Sequence, residues 1–248
     1  MLSFIVASSD WSPGSKYATQ FREHLVPSLD AQGQPYRLYQ VTPTDNILTA
    51  FNDGLDLHAK ELAYCEERGE RPQNFNCPVL IHPDVELVGP GLAARLEALF
   101  ADESIAVAGV IGARQHPGLR WWEGNPKFGY AHHKPGQGGT YFTRGSDNEV
   151  DIVDGMMIAL SPWFAERFRF RPEEYEPPCW HVYGETLCAE AQMQGKRVLQ
   201  IDYELRHHTV PGFAGGEEHW NRLDYEFQRR YCRHLWSLKK KWAMREEA

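Results

Sequence analysis

A chain of 248 residues, 42% of them hydrophobic, is long enough to bury the core of one large α/β domain. Its net charge of −8 excludes broad nucleic-acid affinity, which rests on phosphate neutralisation by Lys and Arg. No apolar run approaches the roughly 20 residues that cross a bilayer, and five cysteines without a Cys-x-x-Cys pair exclude a zinc ribbon or a disulfide framework and fit a reducing cytoplasm.

Residues 2–7 (LSFIVA) form an apolar run that ends in the turn formers SSDWSPGS, which predicts a first strand and loop. With no basic lead or small-residue cleavage site, this start reads as a strand rather than a secretion leader. Residues 16–29 suit a helix and residues 36–41 (YRLYQV) a second strand. Pro43, Thr44 and Asp45 are start signals for a helix whose Ile47, Leu48, Phe51, Leu55 and Leu62 share one apolar face. Beyond the polar loop EERGERPQNFN come a strand at 79–81, a helix at 90–100 and a strand at 105–111. This alternation predicts a mostly parallel sheet flanked by helices.

Residues 112–149 break the rhythm, being rich in Gly, His and aromatic residues, and read as a functional or disordered loop. An extended segment follows at 149–160, a turn at 161–170, a helix at 185–194 closed by Gly195, and a strand at 196–203 that ends near His207 and His208. A last helix is expected over about 217–244. The division is then a domain at 1–215 and a basic amphipathic tail at 216–248. From residue 219 onward that tail has eight Lys or Arg against four Asp or Glu, on an otherwise acidic body. It interleaves Trp220, Trp236 and Trp242 with basic residues, a pattern that suits either an anionic membrane surface or a helix packed on the domain with a solvated basic face.

In open parallel sheets ligands bind beyond the carboxyl ends of the strands. That rule sends Ser8, Ser9, Asp10, His82, Asp84, Asp154 and His207 to one rim. In CPVLIHPDVEL a buried apolar run delivers an imidazole and a carboxylate to its own end, groups that are costly to bury without a partner. A plain turn capped by Asp84 is the simpler alternative.

The helix sequence NDGLDLHA, followed some twenty residues later by VLIHPDVEL, resembles the pattern of family 2 glycosyltransferases of the GT-A fold. The likeness is to the small bacterial glycosyltransferase-like group, in which the aspartate signature reads His-x-Asp. VDGMMIALSP, RFRF, HVYGETLCAEAQMQGKRV and RHHT follow in that group's order, so the likeness covers about residues 2–215. It implies a GT-A fold, a nucleotide diphosphate sugar donor, a glycan or lipid-linked acceptor, transfer with inversion, and a divalent cation, Mn2+ or Mg2+. It further implies Asp84 as a metal ligand, completed by His207 or His208, with His207 matching the His-x-[Ser/Thr] spelling. His82 departs from the first aspartate and is a ligand, a ribose contact or a turn former.

On the same resemblance Ser8, Ser9 and Asp10 contact base or ribose; Asn52, on a helix facing the same rim, either joins them through its amide or faces solvent. Glu185 is the base that deprotonates the acceptor, kept ionised at neutral pH by a helix N-terminus. Asp154 is the second candidate for that role or a donor-sugar contact, with Gly155 admitting the ligand. Trp121 and Trp122 beside Arg120, and Trp180, His181 and Tyr183 in a second loop, are placed to stack on sugar rings, with the alternative that Trp121 or Trp122 plugs the edge of the core. Two rivals remain at this level: a nucleotide- or sugar-binding module without turnover, suggested by the altered His-x-Asp, and a metal-dependent hydrolase. The expected location is the cytoplasm, peripheral at the inner face of the membrane.

Overall fold

The computed structural model describes residues 1–43, 45–69, 76–116, 118–133, 139–141, 146–208 and 216–246. The Thr44 start signal, the heart of the EERGERPQNFN loop at 70–75, parts of the Gly-rich loop at 134–138 and 142–145, and Thr209 lie outside the described residues.

Strand β1 (Leu2–Ala7) is buried along nearly its whole length, because helices cover both of its faces. The helix expected after it comes in three parts: α1 (Lys16–Gln20), a π-helical turn at Phe21–Leu25, and α2 (Val26–Ala31). Pro27, which lacks the N–H an α-helix would use there, accounts for the widened turn. After β2 (Tyr36–Val41), α3 (Ile47–Glu67) starts where the Asn46 side chain accepts the Leu48 N–H at 2.9 Å, and it buries Leu48, Phe51 and Leu55. A Cβ on Gly54 would meet the Ile5 side chain at 2.3 Å, so this glycine lets α3 lie close on β1.

Next come β3 (Cys77–Ile81), β4 (Val85–Leu87), α4 (Leu92–Phe100), β5 (Ile105–Gly109) and β6 (Ile111–Ala113). The stretch read as one long loop contains a 3-10 turn at Trp121–Glu123, β7 (Lys127–His133) and β8 (Gly139–Tyr141). β9 (Asn148–Val150), β10 (Ile152–Val153) and β11 (Met157–Leu160) divide the expected extended segment. The chain ends with α5 (Pro162–Arg167), α6 (Tyr183–Met193), β12 (Arg197–Gln200), β13 (Leu205–His207) and α7 (Gly216–Glu246).

The large sheet has the order β2-β1-β3-β11-β5-β12-β9. Its pairings make β1, β2, β3, β5 and β12 run one way, with β11 and β9 reversed, so the expectation of a mostly parallel, helix-flanked sheet holds. A second sheet, β10-β6-β7-β13-β4 with β8 beside β7, was not foreseen. Trp220, Leu223, Phe227, Tyr231 and Leu235 of α7 join the same apolar cluster as Phe51 and Leu187.

Candidate functional site

His82, Pro83 and Asp84 form the corner at which the chain leaves the large sheet for the small one. The His82 N–H still donates to the Met156 carbonyl at 3.0 Å, beside the β3–β11 ladder, whereas Val85 already belongs to the second sheet. There β13 pairs antiparallel with β4, with His207 opposite Val85. The turn and the pairing together bring His207 Nε2 to 3.3 Å from Asp84 Oδ1, and His82 Nδ1 lies 3.9 Å from the same oxygen. One ligand atom from each of the three residues fits within 4.8 Å of the others. Asp84 and His207 are 3% and 8% exposed, while about a third of the His82 side chain (35%) meets solvent, so the cluster has one open side.

Burial pushes His207 toward its neutral form, but the hydrogen bond and charge of Asp84 outweigh it and raise its pKa. For His82 burial prevails over the attraction of Asp84, and its pKa falls. One carboxylate flanked by two imidazoles is a donor set that suits Mn2+ better than the oxygen-seeking Mg2+.

The two adjacent histidines part company here. His208 points to another cluster, where its Nε2 lies 2.7 Å from Glu86 Oε2 and its ring stacks on His24 at 3.5 Å. Arg206 holds that same Glu86 carboxylate at 2.9 and 3.0 Å. Of the pair, only His207 joins Asp84 and His82.

Tyr183, expected only as a stacking ring, supplies a contact that the sequence reading missed. Its hydroxyl sits 2.6 Å from His82 Nε2 and 3.2 Å from the Gly155 carbonyl oxygen. A Cβ on Gly155 would lie 2.3 Å from that hydroxyl, so the close approach this glycine admits is that of Tyr183 rather than of a ligand. Val182, which opens α6, has φ +67, a strained value for a β-branched residue. A valine followed by Tyr-Gly-Glu at a helix start gives no local signal for such a turn.

Glu185 occupies the first turn of α6 and is 8% exposed. The expectation that the helix N-terminus keeps it ionised at neutral pH is overturned. Burial dominates and lifts its pKa to about 8; its backbone N–H opposes this, and the charges of Asp154 and Asp224 reinforce it. The Asp154 carboxylate accepts the Met156 N–H at 2.8 Å and stands, with Glu185 and Asp84, in the electrostatic surroundings of Tyr183.

At the end of β1 the Ser8 hydroxyl donates to the Asp10 carbonyl at 3.0 Å, and Asp10 Oδ1 accepts the Ser12 N–H at 2.8 Å. These groups shape a turn, leaving Ser9 and Asp10 exposed at the rim. The Asn52 amide is engaged with the backbone of Phe170, donating to its carbonyl at 2.9 Å and accepting its N–H at 2.8 Å. Trp122 stacks on Trp220 of α7 at 5.6 Å, which occupies a ring face expected for sugar, and Trp121 meets Trp122 edge-on at 6.1 Å. His181 also packs on Trp220, at 4.2 Å. A cleft of about 580 Å³ opens at the start of α3, lined by Asp45, Asn46, Thr49, Glu173, Glu176 and Arg229 among others. It shares no residue with the His–Asp cluster.

Among curated relatives, the "ATP synthase subunits region ORF 6" protein of Fuscovulum blasticum is 29% identical over 188 residues, 73% of this chain and 66% of that protein. "Streptomycin biosynthesis protein StrF" of Streptomyces griseus is 27% identical over 159 residues, 62% of this chain and 53% of that one. The chain thus spans less than two thirds of either relative. Two solved structures are loosely similar, with TM-scores of 0.41 and 0.31, too low to carry an argument. A197 from STIV is 12% identical, with 85% of this chain and 86% of that chain covered. A glycosyltransferase involved in the glycosylation of the major capsid of PBCV-1 is 8% identical, with 66% of this chain and 62% of that chain covered. The profile described as "Glycosyltransferase like family" matches residues 57–208, from within α3 to the two histidines at the end of β13. With more than half of its length in that match, this chain belongs to the glycosyltransferase-like family.

Proposed function

We propose that this protein transfers a sugar, with inversion, from a nucleotide diphosphate donor to a glycan or lipid-linked acceptor, assisted by Mn2+ or Mg2+ at Asp84, His207 and His82. The observation that carries the reading is the carboxylate oxygen set between two imidazole nitrogens at a rim that opens to solvent. A cation bound there neutralises charge on the diphosphate leaving group. Ser9 and Asp10, at the end of β1, bind the base and ribose, and Asp154 contacts the donor sugar.

Glu185 takes the acceptor proton. A pKa of about 8 makes it a strong acceptor when ionised, and its ionised fraction grows as the pH approaches that value. A single base acting opposite the leaving group is what inversion requires.

The outer face of α7 supports a further part of the reading, contact with an anionic membrane from the cytoplasmic side. Trp220 and Trp242 are buried, at 6% and 4% exposure, but Trp236 is 60% exposed, with Lys240 Nζ 4.0 Å above its ring. Arg229, Arg233 and Lys239 are exposed beside it, and cations next to an interfacial tryptophan suit an anionic headgroup layer.

Titration calorimetry with UDP, GDP and deoxythymidine diphosphate, with and without Mn2+, followed by turnover on a donor panel, tests the proposal. Metal-dependent binding together with sugar release supports it. Metal-dependent binding without turnover on any donor replaces it with the binding module, and ester or phosphodiester cleavage without a nucleotide sugar replaces it with the hydrolase.

A further inference from the structure

We infer that Tyr183 is a positioning residue that fixes the tautomer of His82, holding a proton on Nε2 so that the lone pair of Nδ1 faces the Asp84 oxygen. The inference rests on the reading of the cluster as a cation site and adds what aims one of its donors.

The argument is a count of protons. A tyrosine hydroxyl has one proton to give, a carbonyl oxygen only accepts, and a neutral imidazole has one N–H. The Tyr183 hydroxyl contacts both His82 Nε2 at 2.6 Å and the Gly155 carbonyl at 3.2 Å. Both contacts are hydrogen bonds only if the hydroxyl donates to Gly155 and receives the N–H of His82 Nε2. Nδ1 is then the bare nitrogen.

The opposite arrangement, with Tyr183 donating to Nε2, leaves an N–H on Nδ1 that should close on Asp84 to 2.7–3.2 Å. The separation is 3.9 Å. A bare imidazole nitrogen facing a carboxylate oxygen at that distance leaves a place for a cation between them. An outer partner on the second ring nitrogen is the usual means of orienting a histidine ligand.

The surroundings hold the hydroxyl in place. Tyr183 is 6% exposed and packs edge-on against Phe51 at 4.9 Å. The bare Cα of Gly155 makes room for it, and the left-handed Val182 sets the direction from which the ring enters. Gly155 follows Asp154 and Tyr183 lies two residues before Glu185, so the contact ties His82 to both acidic candidates. This assigns His82 a metal-facing nitrogen although it stands where an aspartate is usual.

The test combines heteronuclear NMR of histidine-labelled, metal-free protein with Mn2+ titration of the wild type, Tyr183→Phe, His82→Ala and the double variant. In the wild type His82 should carry its proton on Nε2, and Tyr183→Phe should mix the tautomers. The same substitution should weaken Mn2+ binding about 10- to 100-fold, and should cost nothing further once His82 is alanine. A proton on Nδ1 in the wild type overturns the assignment, as does an equal loss with and without His82. Asp84→Asn is the control on the cation site: if it binds Mn2+ like the wild type, the metal reading falls, while the NMR result still decides what Tyr183 does to His82.

Discussion

Replacing Glu185 with glutamine should move stability and turnover in opposite directions. The unfolded chain ionises this carboxyl near its ordinary value of 4.5, whereas the folded protein keeps the proton until about 8. Because the folded pKa is raised, the native state binds a proton that the unfolded state has shed. Wild-type stability is therefore fully present below about pH 4.5 and declines as the pH rises toward 8. At about 1.4 kcal/mol per pH unit, the side chain costs up to ~3 kcal/mol at pH 7 and ~4 kcal/mol at pH 8, where half of it is ionised in the folded protein. These are upper limits, since local relaxation softens burial. An amide of similar size is neutral throughout, so Glu185→Gln should match the wild type near pH 4.5 and gain on it steadily above. Urea unfolding followed by tryptophan fluorescence at half-unit steps from about pH 4.5 to 8.5 reads this difference. Sugar transfer by the same variant should fall by roughly 10²–10⁴, the usual contribution of a general base. A stability difference independent of pH would refute the burial argument, and retained turnover would move the base elsewhere.

Affinity for Mn2+ should rise with pH through the titration of His207, whose proton and the cation compete for Asp84. Calorimetry in buffers of different ionisation enthalpy would show the released proton, and pH-independent affinity would remove His207 from the ligand set. Asn52→Ala should cost about 2–3 kcal/mol through the loss of two hydrogen bonds to Phe170, seen in thermal unfolding, without changing the KM for donor. A raised KM at unchanged stability would return Asn52 to the nucleotide. Changing Arg233, Lys239 and Lys240 to glutamine should lower co-sedimentation with phosphatidylserine vesicles by ~100-fold, taking ~1 kcal/mol per cation, and leave neutral vesicles unaffected. Equal binding by variant and wild type would exclude a membrane role for α7.

The sequence made the large sheet legible because apolar runs such as LSFIVA and CPVLI alternate with helices, of which α3 shows the Leu48-Phe51-Leu55 stripe on one face. The small sheet was not legible. Its strands β4, β6 and β13 are three residues each, too short for any periodicity to stand out. The same limit applied to individual residues. Asn52 is satisfied by a backbone 118 positions away, Trp122 by a helix nearly 100 positions on, and Gly155 makes room for Tyr183 rather than for a ligand. Local pattern places a side chain at a rim but does not say which distant group reaches it first. Glu185 shows the electrostatic form of the same point: its helix position was readable, its burial was not, and burial decided its charge.

His207 was readable as one of a pair, and the second sheet separates that pair. Adjacent residues of an extended chain point to opposite faces, so once β13 pairs with β4, the side chains of His207 and His208 cannot both reach the Asp84 carboxylate, although the His208 N–H donates to the Asp84 carbonyl at 2.9 Å. The strand partner makes the choice. The antiparallel register sets His207 beside the Pro83 corner, while Glu86 and His24 engage His208. The cluster consequently draws its three groups from the edge of both sheets, with His82 bonded to Met156 just before β11 and His207 carried by β13. A carboxylate as buried as Asp84 is costly without compensating partners or a cation. His207, whose pKa Asp84 raises, is one such partner, and a divalent cation would be another. The raised proton affinity of His207 and the proposed cation site then have one cause, the carboxylate that the junction of the two sheets buries at Asp84.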